Sequence, residues 1–193
     1  MKPRATFGYE QADYQLKATF LTQHSRLETL NIEFRRLDTA YRRSRTKSVQ
    51  QIRKMFDCRD QRIQAATIIV ITAVSYLELV IYLHACNVFD YEFYEKYMDR
   101  LPLPAKWIVV PRLARGIILT PASPEITRLT ELVQARNAIV HPKVSWMDDG
   151  LPSSAVNKDI DRFNKVAKAS RRTVELLLQL LPSTDENSKL PKA

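Results

Sequence analysis

The chain has 193 residues, a length that suits one domain with at most an extension. It is 45% hydrophobic and 26% charged with only 3 glycines, which argues against a turn-rich β protein and for an all-α one. The formal net charge of +9 points to a polyanionic partner, nucleic acid first and an acidic protein or anionic lipid second.

Cys58 and Cys86 are the only cysteines, with no Cys-x-x-Cys and no neighbouring histidine cluster, so neither a disulfide framework nor a metal site is expected. Met1-Lys2-Pro3-Arg4 leads into a polar stretch without an apolar h-region, so a secretory signal is not expected and a reducing, cytoplasmic setting is.

From Tyr9 to Lys47 there is no glycine or proline, and Leu16, Phe20, Leu27, Leu30, Phe34, Leu37 and Tyr41 recur on alternating three- and four-residue steps, with Gln23 as the one polar gap. This spacing predicts a long amphipathic helix with a heptad seam, which either docks on its own domain or zips to a second subunit. Its end is basic: Arg35, Arg36, Arg42, Arg43, Arg45 and Lys47, then Arg53 and Lys54, with Asp38 the only acid among them. Arginine at this density suits phosphate, so these residues are candidate RNA contacts. The competing reading is a solvated face, since apart from Tyr41, which belongs to the seam, no aromatic residues interleave along the run to stack bases.

A central helix is expected from Gln61 to about Cys86. Its stretch from Ala65 to Cys86 is apolar enough to resemble a short membrane span, but Glu78 inside it would be costly at bilayer depth, so a core helix is expected and no membrane. The aromatic segment Phe89 to Met98 reads as a short helix whose rings pack, and Leu101-Pro102-Leu103-Pro104 breaks the chain. Lys106 to Val110 reads as a short helix or an extended piece before Pro111, and Gly116 to Pro121 as a connector.

Ser123-Pro124-Glu125 is a helix start: a capping hydroxyl, proline at the first helical position, and an acid at the positive end of the dipole. That helix should end near His141, where Pro142 stops it. Residues 143–154 read as a loop, Ala155 to Leu181 as a last helix with Ile160, Phe163, Val166, Ala167, Val174, Leu177, Leu178 and Leu181 inward, and the tail after Pro182 as disordered.

The chemistry concentrates at the end of the helix from Pro124. Its expected apolar stripe is Ile126, Leu129, Val133 and Val140, and Arg136 falls on the same stripe, so it must meet an anion or a wet crevice. His141 follows five residues on, at the helix end. An imidazole moves the proton of a ribose 2′-hydroxyl or of the leaving oxygen, and a guanidinium holds the charge growing on phosphorus, so the two types suffice for RNA cleavage without metal or cofactor. The competing reading is a structural arginine with a histidine that caps the helix. His84 reads as a satisfied core residue and His24 as a surface residue of the long helix, and neither is assigned a role. There is no glycine-rich phosphate loop, Ser-His-Asp arrangement or paired-carboxylate spacing.

The wording from Leu129 to Lys143, with Arg136-Asn137-Ala138-Ile139-Val140-His141 at its heart, closely resembles the signature helix of HEPN proteins. Tyr76-Leu77-Glu78, and Lys106-Trp107 followed by Pro111, are similar to features of bacterial HEPN-like members. The resemblance covers about Gln61 to Leu181. It implies a HEPN-like bundle of four to five helices preceded by the long N-terminal helix: residues 1–60 as the helical extension, 61–182 as the domain, 183–193 as tail. It also implies a homodimer that brings two signature helices over one cleft. Arg136 would bind phosphate, His141 would be catalytic, Asn137 would steady them, and Glu78 is the candidate acid that pairs with the arginine. The product would be a 2′,3′-cyclic phosphate with a 5′-hydroxyl.

Such an endoribonuclease would be a toxin of a toxin–antitoxin pair or a phage-defence effector, with RNA as substrate and an antitoxin or regulatory protein as a further partner. Lys143 adds a cation for RNA. It also stands two residues after His141, where toxins silenced by a nucleotidyltransferase antitoxin carry tyrosine, so control by tyrosine adenylylation is not expected. Two rival readings are a catalytically silent HEPN-like module for RNA or protein binding, and a membrane-bound regulator that rests on Ala65 to Cys86 alone.

Overall fold

The computed structural model describes residues 6–46, 48–141 and 153–181; the side chains of residues 6–8, 10 and 153–160 lie outside that description. The described residues are helical with no strand: α1 (Thr6–Arg43), α2 (Val49–Phe89), the short α3 (Tyr91–Phe93) continuing into a π turn (Tyr94–Met98), α4 (Leu103–Arg115), α5 (Pro124–Val140) and α6 (Ser153–Leu178). That makes six α-helices among the described residues, with the aromatic segment and the stretch around Trp107 each forming an element of its own.

The seam of α1 is used within its own chain. Phe20, Leu27 and Leu30 are buried, Leu16, Phe34 and Leu37 pack partly buried on the same core, and α2 lies antiparallel against them. The pairing is fixed at both ends: the Tyr9 and Tyr82 rings sit 5.7 Å apart, while Arg62 Nε donates to Asn31 Oδ1 at 2.9 Å. Between the helices Ser48 Oγ accepts from the Gln51 N–H, and Gln51 Oε1 accepts from the Ser48 N–H, a reciprocal cap. This cap starts α2 at Val49 instead of Gln61, so residues 60 and 61 lie inside one continuous helix.

α2 is the axis of the bundle. Ala65, Ala66, Ile69, Val70, Ala73, Val74, Leu77, Ile81 and Ala85 are fully or almost fully buried, covered by α1 on one side and by α4, α5 and α6 on others. Small alanines at close approaches let these neighbours pack near the helix axis. By length and composition α2 is also long and apolar enough to cross a membrane, and 44% of its most apolar window is buried within the fold.

α2 stops at Asp90, whose φ of 81° is unusual for a residue with a side chain; its carboxylate accepts the Phe93 N–H at 2.8 Å and starts α3. The following π turn buries Tyr94 and Met98, and the Tyr94 ring meets Tyr82 edge-on at 4.9 Å. The segment from Lys106 to Val110 is helical, part of α4, which carries Pro111 in its interior and buries Trp107 and Val110 completely.

α5 begins at Pro124 as expected, but Ser123 does not cap it through its side chain: Ser123 Oγ accepts from the Thr120 N–H at 2.9 Å and closes the preceding turn instead. In α6 Ala167, Val174 and Leu177 are buried, and Phe163, Val166 and Leu178 are half-buried. The expected Ile160 contact, the loop that follows Pro142 up to α6, and the tail after Pro182 lie outside the described residues.

His24 is corrected by this arrangement. It is 4% exposed rather than on the surface, because α6 covers the flank of the seam and His24 Nε2 lies 3.0 Å from Ser170 Oγ. Burial lowers its pKa, and Arg171 adds to the shift.

Candidate functional site

α5 presents its end to solvent. Ile126, Leu129 and Leu132 are buried and Val133 and Ile139 are half-buried, whereas Val140, expected on the inward stripe, is 49% exposed. A straight helix repeats every 3.6 residues, so a stripe of alternating three- and four-residue steps, averaging 3.5, drifts slowly around it; in the last turn Ile139 is half-buried while Val140 faces solvent.

Arg136 sits at the edge of that buried face, 29% exposed, with Nη2 3.6 Å from Oε1 of Glu78 on α2. Glu78 follows the buried Tyr76 and Leu77 and turns outward at 49% exposure. At 3.6 Å the contact is an ion pair longer than a charge-assisted hydrogen bond. Arg136 Nε is buried without a hydrogen-bond partner. The guanidinium is therefore braced from one side by a carboxylate and has donor capacity left for a second anion.

His141 is the C-cap of α5, with φ −124° and ψ 67°, and its N–H donates to the Asn137 carbonyl at 2.9 Å. Both Asn137 and His141 are exposed. The four candidate residues fall into two neighbouring groups: Arg136 with Glu78 at the α5–α2 contact, and Asn137 with His141 on the adjoining open face. Chemically, the first group holds negative charge and the second offers an imidazole that exchanges protons with solvent or a bound hydroxyl.

The basic run divides between two faces. Arg35, Arg36 and Arg43 lie with Thr39 and Ala40 along an open outer surface of α1, and Arg45 is exposed in the turn after it. Arg42 is on the other side, held to Asp38 at 2.9 Å, and faces a groove shared with α2. Lys47 and Lys143 lie outside the described residues. Sequence reasoning missed the groove residues Phe56, Arg59 and Arg62. Phe56 of α2 comes next to the run in space, and the three-residue spacing of Phe56, Arg59 and Arg62 on α2 was the available signal.

His84 is buried, but its Nε2 has no hydrogen-bond partner, so it is not the satisfied core residue expected. Burial lowers its pKa and nearby Arg115 lowers it further. Cys58 is buried against the Leu30 carbonyl and Cys86 is half-buried; both are free thiols whose pKa is raised, chiefly by burial. Among the described residues no group of three or more His, Cys, Asp or Glu side chains forms a candidate metal centre.

No family model matches this chain, and neither the curated proteins nor the solved structures contain a significant match to it.

Proposed function

We propose that the protein is a metal-independent endoribonuclease of HEPN type, a cytoplasmic toxin or antiviral effector that acts as a homodimer. The observation that carries this reading is Arg136: a half-buried guanidinium braced by Glu78, with an unpaired buried Nε, on the same helix and five residues before the exposed His141. His141 takes the proton of the ribose 2′-hydroxyl. The 2′-oxygen then bonds to phosphorus, the bond to the 5′-oxygen breaks, and that oxygen leaves with a proton supplied by an imidazolium or by water. Arg136 holds the charge that accumulates on the non-bridging oxygens. Glu78 fixes the guanidinium, and Asn137 holds the His141 backbone through its carbonyl, which accepts the His141 N–H.

Exposure of Asn137, Val140 and His141 along one end of α5 supports the dimer, because a second α5 laid across that end encloses both pairs in one cleft. Incubation of tRNA and mRNA with the protein in EDTA tests the reading. Cleavage should persist in chelator, leave 2′,3′-cyclic phosphates, and disappear in Arg136→Ala and His141→Ala while both remain folded. Activity that needs a divalent cation would overturn it.

A silent RNA- or protein-binding module is the second reading, favoured by the fact that the Arg136–Glu78 pair also serves as a clamp between α5 and α2. It predicts RNA binding without cleavage by the wild type under any metal condition.

A further inference from the structure

A groove of about 430 Å³ lies between the end of α1, the first turns of α2 and Asp161 near the start of α6. Its size falls within the roughly 300–1,000 Å³ typical of small-ligand sites. Three arginines line it, each beside a different anchor. Arg62 lies 4.3 Å over the Phe34 ring and spends its Nε on Asn31 Oδ1 at 2.9 Å. Arg59 stands 6.0 Å from the Phe56 ring, and its Nε is buried with no hydrogen-bond partner. Arg42 is neutralised by Asp38. Phe56 itself is 54% exposed although it is a large apolar ring at the groove wall.

Guanidinium groups fixed on aromatic faces, one of them with an unsatisfied buried donor, are arranged for an anion that brings a flat π-system with it. We propose that this groove binds single-stranded nucleic acid, with one unpaired base stacked on Phe56 and its phosphodiester paired with Arg59 and Arg62. The exposed Phe56 ring favours this occupant over an acidic peptide, because a base brings a flat face to stack on it and an amino edge that donates to the Asp161 carboxylate, whereas glutamate and aspartate side chains offer neither. The outer face of Arg35, Arg36 and Arg43 continues the positive surface around α1 for the flanking phosphates. The site lies on different elements from the end of α5 and does not depend on the nuclease reading.

Fluorescence anisotropy with a labelled oligocytidine strand tests it, using His141→Ala protein so that no cleavage intervenes. The strand should bind more tightly than the same sequence in a duplex, and ribose and deoxyribose strands should bind alike. Phe56→Ala should weaken binding about tenfold without changing the salt dependence, because a stack and not a charge is lost. Arg59→Gln should weaken binding and lower the slope against log salt by about 0.7, one released counterion. An abasic strand that binds as well as the intact one, or a Phe56→Ala protein with unchanged affinity, overturns the proposal. So does a polyglutamate peptide that binds in a Phe56-dependent way while the strand does not. Circular dichroism melts of both variants should match the parent, since neither residue belongs to the buried core.

Discussion

Glu78 on α2 and Arg136 on α5 form an ion pair that ties two separate helices together, whereas the other ion pairs among the described residues, Arg42 with Asp38 and Glu175 with Arg171 and Arg172, each stay within one helix. Half-exposed pairs contribute only about 0–1 kcal/mol to stability, so the value of this one lies in where it holds the guanidinium. Glu78→Gln should leave the thermal midpoint nearly unchanged and lower the cleavage rate roughly tenfold, a smaller loss than the hundredfold or more expected for Arg136→Ala. A large drop in melting temperature with cleavage intact would make the pair a structural clamp.

Val140 is an exposed apolar residue on the same end of α5 as His141. Val140→Glu should cost little within one chain but should separate two chains that meet there, giving a monomer by light scattering and no cleavage. Mixing His141→Ala with Arg136→Ala protein should restore part of the activity if each cleft draws residues from both chains. A fully active monomer excludes the shared cleft.

The α1 seam faces α2, so its residues should behave as core. Leu27→Ala should destabilise by about 2–5 kcal/mol in urea unfolding, while Ile32→Ala, at 66% exposure, should stay within about 0.5 kcal/mol. Equal small effects at both positions would mean that the seam is not packed in solution.

His24 and His84 are buried with pKa values lowered from the ordinary value of about 6.5. A base held neutral in the folded state gives the unfolded chain the greater proton affinity. Stability is therefore full above pH 6.5 and falls as the pH drops toward the lowered folded values, below which the loss levels off. The thermal midpoint should decline between pH 7 and pH 5, and His24→Gln should flatten that decline. A midpoint independent of pH over this window would show that neither ring is buried.

Much of the helical plan is local and is therefore written in the chain. Scarce glycine, a heptad seam with Gln23 as its one polar gap, the proline at the first position of α5 and glycine in the α4–α5 connector each act within a few residues, so periodicity and turn chemistry identify α1, α5, α6 and the apolar middle of α2. The start of α2 is legible too, in Ser48 and Gln51, but a cap is a weaker signal than an apolar run, and the run alone points to a start near Gln61. Arg136 was locatable because a charge on an apolar stripe is conspicuous, and His141 because a proline follows it.

Tertiary structure decided what each face meets. A heptad seam has the same spacing whether it packs on its own chain or on a second one; here the antiparallel α2 fills it. His24 lies on the flank of that seam, and only the return of α6 buries it. Val140 and Ile139 are interchangeable by composition, and it is the packing of α5 on its neighbours that leaves Ile139 half-buried and Val140 exposed. The groove at Arg59 is the clearest case: Phe34 and Arg62 are 28 positions apart, and no linear pattern brings them together until the α1–α2 hairpin closes.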